Sequence, residues 1–138
     1  MTILGIETSC DECAAAVVDD GVRIRSNVIY SQIDDHRPYQ GIVPEIASRK
    51  HVEWIDRVVS DALHKAHVTF DDLSAVAVTT SPGLIGSLIV GLSYAKGVSL
   101  GQEIPLIDVD HIKAHLYAAH MEASIPYPYI GLLLSGGH

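Results

Sequence analysis

Basic charge is scarce in this chain of 138 residues. Its 9 Lys and Arg stand against 17 Asp and Glu, giving a formal net charge of −8. A nucleic-acid groove is built from clustered cations, so this segment does not make one by itself. A nucleic-acid substrate is still compatible with the chain if another subunit holds it. Long apolar runs are also missing. The most apolar stretch, Leu84 to Leu92, is too short to span a bilayer and is interrupted by Gly86, Ser87 and Gly91. The opening Met1-Thr2-Ile3-Leu4-Gly5 lacks the basic segment and apolar core of a secretory leader. There are only 2 cysteines, which without an export signal are expected as free thiols in a reducing cytosol. What remains is 48% hydrophobic and 19% charged, the composition of a globular domain with a real core.

Ile3 to Ile6 and Ala14 to Val18 predict two short strands, joined by the polar turn Glu7 to Glu12. Asp19-Asp20-Gly21 is a hairpin signal, and Val22 to Val28 alternates apolar and polar residues as a third strand with one wet face. After a loop from Ser31 to Gly41, the segment Val43 to Ala66 predicts a helix. Pro44 suits its first turn, and Val52, Ile55, Val59, Ala62, Leu63 and Ala66 form an apolar stripe. Ala75 to Thr79 is a buried strand. Pro82 to about Gly101 is a second helix, Ile104 to Val109 a strand, and Asp110 to Glu122 a third helix. Tyr129 to Leu134 is a last strand, leading into the turn Ser135 to His138. The order β-β-β-α-β-α-β-α fits an α/β fold, a mixed sheet flanked by helices. The last strand has no partner of its own, so a longer protein is expected, with residues 1–125 as one unit and 126–138 as a linker and the opening of the next.

Several motifs lack a defining residue. Ser81 to Ser87 opens a helix after a strand, a position that favours anions, but it has no Walker lysine and its glycine spacing is not a dinucleotide fingerprint. Ser87, Gly91 and Ala95 make a small-residue stripe, suited either to close packing on the sheet or to a partner helix. Cys10-Asp11-Glu12-Cys13 lies between strands, whereas a redox pair needs its first thiol at a helix N-terminus. Two cysteines alone also do not close a structural zinc site. Gly5 to Glu12 is either an ordinary polar hairpin or a cradle for a metal or an ammonium group. Ser135-Gly136-Gly137-His138 is a hairpin turn or a phosphate cradle.

The histidines are sharper. His111 and His115 are four residues apart, which on a helix places them one turn apart on one face. Two neutral imidazoles there suit a transition metal, as two of its ligands, although two polar residues on a surface helix give the same spacing. Ile112 stands where a zinc protease needs glutamate. His120, nine positions after His111, points to the opposite face.

In this order, GIETSCDE (Gly5 to Glu12), VPEIASRKH (Val43 to His51), SPGLIG (Ser81 to Gly86), DHIKAHL (Asp110 to Leu116) and SGGH (Ser135 to His138) closely resemble the bacterial TsaD family, formerly known as O-sialoglycoprotein endopeptidase, from Met1 to His138. The resemblance implies an actin/Hsp70/sugar-kinase-like (ribonuclease H-like) fold, of which this chain is the first domain plus the start of a second. It implies transfer of a threonylcarbamoyl group from threonylcarbamoyl-AMP to N6 of the adenosine beside the anticodon, in tRNAs reading ANN codons. His111 and His115 are then ligands of one iron or zinc ion, Asp11 and Glu12 catalytic residues at the mouth of the cleft, and Leu134, Ser135, Gly136, Gly137 and His138 nucleotide contacts. The implied partners are a TsaB-like paralogue, docking on the Val43–Ala66 and Ser81–Gly101 helices, a TsaE-like ATPase and tRNA. A cytoplasmic location and no membrane contact follow, and the 138 residues alone are expected to be inactive. Gln102 and Cys13 depart from the family pattern. The alternatives are an O-carbamoyltransferase acting on small molecules, which carries a further carbamoyl-adenylate-forming domain, and a non-catalytic TsaB-like scaffold, which lacks the histidine pair.

Overall fold

The computed structural model describes residues 1–134. The first three strands, β1 (Thr2–Glu7), β2 (Glu12–Asp19) and β3 (Arg23–Ser31), form the expected antiparallel meander. The β2–β3 turn places Asp20 at φ 53° and Gly21 at φ 76°, the left-handed region that an Asp-Gly hairpin favours. The loop that follows contains a short helix α1 (Ile33–His36) and a 3-10 turn (Arg37–Tyr39). Next come α2 (Pro44–Ala66), β4 (Ala75–Ser81), α3 (Ile85–Gln102), β5 (Leu106–Asp110) and α4 (His111–Glu122). The sheet order is β3-β2-β1-β4-β5, with β4 and β5 parallel to β1. The sequence-based α/β class, a mixed sheet flanked by helices, is therefore correct. No described helix is long and apolar enough to cross a membrane.

Strand periodicity separates the two sheet faces. Leu4, Ile6, Cys13, Ala15, Val17, Val76 and Val78 point into one core with Ile55, Val58, Val59 and Ala62 of α2 and Ala95 of α3. Each larger aliphatic side chain buried there contributes roughly 1.5–3 kcal/mol. The alternate positions Gly5, Glu7, Ala14, Ala16 and Ala77 line a cavity on the opposite face.

Three expectations are corrected. The α2 stripe is centred on His51 rather than Val52: His51 is fully buried, whereas Val52 is 65% exposed on the flank of the stripe. Helix α3 starts at Ile85, not Pro82. The Leu84 amide donates to the Ser9 carbonyl at 2.8 Å, so residues 82–84 tie to the β1–β2 turn instead of beginning a helical ladder. Residues 129–134 form no strand. A strand needs a ladder partner, and among the described residues this segment pairs with neither sheet edge, leaving Ile130 and Leu134 largely exposed.

Candidate active site

Strands β1, β4 and β5 are parallel, so their C-terminal ends share one edge of the sheet, where ligands gather in α/β folds. β1 ends there with Glu7, β4 passes through Thr79, and β5 runs straight into α4. Asp110 caps α4, its carboxylate accepting from the Lys113 amide at 2.9 Å. This cap fixes the first turn, which carries His111, and thereby the direction of His115. The two imidazole rings stand nearly perpendicular with centroids 4.5 Å apart, and their Nε2 atoms are 3.1 Å apart.

Glu7 lies behind the pair. Its Oε1 accepts from the Ser9 amide, and its Oε2 from the Thr79 hydroxyl at 2.5 Å. His111 Nδ1 is 3.2 Å from the same Oε2 and 3.1 Å from Ser9 Oγ. Burial works against the charge on Glu7, but the hydrogen bonds from Ser9, Thr79 and His111 outweigh it and hold the carboxyl below its usual range.

The turn between β1 and β2 is anchored residue by residue. Thr8 donates to the Ser87 carbonyl of α3 at 2.8 Å. The carbonyls of Ser9, Cys10 and Asp11 accept from the Leu84 amide at 2.8 Å, His51 Nε2 at 2.9 Å and the Gln32 amide at 3.0 Å. Gly83 is pressed on Ser9, whose carbonyl oxygen lies 2.6 Å from where a Cβ would stand. This close packing also resolves the small-residue stripe: Ser87, Gly91 and Ala95 are buried, and Gly91 abuts Thr8. The stripe packs inward, against this chain's own strands and turn.

Asp11 and Glu12 line the same cavity of about 660 Å³ as Glu7, Ser9, His111 and His115. Three acids at one end repel a bare phosphate and suit a cation. Leu134 does not line this cavity, and Ser135, Gly136, Gly137 and His138 lie outside the described residues. Burial pushes the Cys13 thiol up to about 12, and burial with the neighbouring Asp11 raises Cys10, so neither is a ready thiolate. His120 is taken up elsewhere, stacked between Tyr117 and Tyr127 at 5.5 and 5.4 Å and edge-on to Tyr129. Sequence reasoning placed Thr79 only at the end of a buried strand and missed its bond to Glu7, as well as the contact of Glu7 with His111. The parallel strand ends were the signal that places both beside the histidines.

A bound ion is tested by the two nitrogens. Adjacent ligands, each at ~2.0–2.1 Å from one ion, lie about 3–3.4 Å apart, and the pair stands at 3.1 Å. Neutral imidazoles suit iron and zinc. The residues present therefore fit part of such a site; among the described residues no third His, Cys, Asp or Glu joins them.

Among relatives, the tRNA N6-adenosine threonylcarbamoyltransferase of Treponema pallidum is 55% identical over the whole chain, and those of Treponema denticola and Geobacter sulfurreducens are 56% and 54% identical. The chain spans only 39–41% of their length. Among solved structures, YeaZ from Pseudomonas aeruginosa aligns over 88% of this chain and 51% of its own at a TM-score of 0.63 and 17% identity. Thermus thermophilus RuvC (determined with a Holliday junction substrate) aligns over 86% and 71% at a TM-score of 0.52 and 17% identity. Both show a shared fold. The family model for TsaD, tRNA N6-adenosine threonylcarbamoyltransferase, matches residues 23–138, and with these relatives it establishes that the chain belongs to the TsaD family.

Proposed function

We propose that this chain forms the metal-bearing wall of the cleft of a tRNA N6-adenosine threonylcarbamoyltransferase. The observation that carries this reading is the convergence of His111 and His115 Nε2 beside the acidic Asp11-Glu12 turn, in one cavity. His111 and His115 would hold one divalent iron or zinc ion, which when bound supplies Lewis-acid polarisation of a carbonyl oxygen on the acyl donor.

The rest of the chemistry falls to the chain. The amine at N6 of the adenosine attacks the carbamoyl carbon of threonylcarbamoyl-AMP, the bond to the phosphate oxygen breaks, and AMP leaves with the electron pair. The proton lost from the amine needs an acceptor, and Asp11 and Glu12 stand at the rim where a carboxylate can take it. The anchored Thr8 to Asp11 turn keeps those carboxylates in place without reorganisation. Leu134 to His138 would contact the nucleotide.

The acidic chain leaves the tRNA backbone to other surfaces, in the rest of the protein or in partners: a TsaB-like paralogue and a TsaE-like ATPase. The paralogue would dock on the outer faces of α2 and α3, where Val52, Ile85 and Ile89 are exposed. Such a set works in the cytoplasm. The test is reconstitution of the full-length protein with both partners, threonylcarbamoyl-AMP and tRNA, read by nucleoside mass spectrometry. The modified nucleoside is expected, with loss in Asp11→Ala and Glu12→Ala and none from the 138 residues alone. A full-length protein that transfers nothing overturns the reading.

A further inference from the structure

We propose that Glu7 is the positioning residue that sets the proton on His111, holding it on Nδ1 so that the Nε2 lone pair faces His115. This deepens the metal-site reading above and rests on it. Donors and acceptors decide the matter. Ser9 Oγ lies 3.1 Å and Glu7 Oε2 3.2 Å from His111 Nδ1. A hydroxyl donates or accepts, so Ser9 imposes nothing. A carboxylate only accepts, so Glu7 requires a proton on Nδ1.

Glu7 is itself fixed from two sides. The Ser9 amide donates to one oxygen and the Thr79 hydroxyl to the other, which prevents the carboxylate from rotating away. His111 is 12% exposed at its side chain, so water competes weakly for Nδ1. With the proton there, Nε2 is the acceptor of the ring pair, and His115 Nε2 donates to it across 3.1 Å. A carboxylate behind a ligand imidazole is the usual means of orienting it and raising its basicity. In this chain that carboxylate comes from the end of β1, across the sheet from α4.

Glu7→Gln gives the sharpest test, because the amide cannot be placed both ways. The Ser9 amide can only donate, so the carboxamide oxygen must stay on its side. The NH2 group then takes the Oε2 place, the Thr79 hydroxyl turns to accept, and the NH2 donates to His111 Nδ1. The imidazole proton is driven to Nε2, where it blocks the lone pair. Long-range 1H–15N correlation spectra of the zinc-free protein are expected to show His111 as Nδ1–H in the wild type and as Nε2–H in Glu7→Gln. Zinc affinity by calorimetry is expected to fall roughly 10–100-fold in that variant. Ser9→Ala, which removes the hydroxyl and keeps the Glu7 carboxylate on Nδ1, is expected to keep the Nδ1–H form. An Nδ1–H proton retained in Glu7→Gln overturns the proposal. Should Glu7→Gln fail to fold, loss of the Nδ1–H form in Ser9→Ala overturns it equally. The two readings fail separately: unchanged zinc affinity in His111→Ala and His115→Ala removes the metal site, whereas the tautomer result is read with no metal present.

Discussion

Gly91 of α3 lies so close to Thr8 that a methyl group at position 91 would overlap the Thr8 hydroxyl. Thr8 is fully buried and already bonded to the Ser87 carbonyl, so it has no room to yield. Helix propensity alone favours Ala over Gly by about 1 kcal/mol, but overpacking of this kind takes away about 1–3 kcal/mol. Gly91→Ala is therefore expected to lower the Tm. Gly97, where a methyl group would find nothing within 4 Å, is the control, and Gly97→Ala is expected to raise it. Thermal unfolding of the two variants checks the contrast.

His51 gives the fold a pH dependence. Burial pushes its pKa below the ordinary 6.5, more than the Cys10 carbonyl and the nearby acids pull it up. The neutral ring is the form the fold accepts, and its Nδ1 has no partner among the described residues. The unfolded chain takes up a proton first as pH falls, so this stabilisation is complete above 6.5 and is lost as pH drops through the lower folded value. Urea midpoints measured near neutrality and about one unit below the ordinary histidine pKa are expected to fall more in the wild type than in His51→Gln.

Asp110 links the stability of α4 to the histidines. Removing an N-cap carboxylate destabilises a helix by about 0.5–2 kcal/mol, and here the first turn carries His111. Asp110→Ala is expected to lower the Tm and, by loosening the ring pair, to weaken zinc binding. Calorimetry with zinc alone reads the second effect.

The outer faces of α2 and α3 are the proposed docking surface for the paralogue. Val52 and Ile89 are 65% and 53% exposed, so charge there leaves the core intact. Val52→Asp and Ile89→Asp are expected to abolish co-elution with the TsaB-like partner in size-exclusion chromatography while the Tm holds. Retained pairing in both contradicts that surface.

Much of this was legible in the residues. Asp20-Gly21 gave away a hairpin because few other pairs take two positive φ angles, and the four-residue step of His111 and His115 gave away their shared face because helical geometry is local. The rest depended on tertiary pairing. Whether Val52 or His51 enters the core is decided by what covers each flank of α2. The segment 129–134 has the apolar residues of a strand, yet a strand exists only against an edge. Glu7 and His111 are 104 positions apart, and only the parallel β1-β4-β5 arrangement brings them together. The start of α3 was misplaced because the Leu84 amide is taken by Ser9, a bond no helix propensity records.

The function proposed for the cavity depends on His111 and His115 converging on one metal ion. Titration of zinc into the wild type, His111→Ala and His115→Ala puts that convergence to the test. A single site is predicted, with an affinity that falls at least about tenfold in each variant; equal affinity in all three proteins would contradict it.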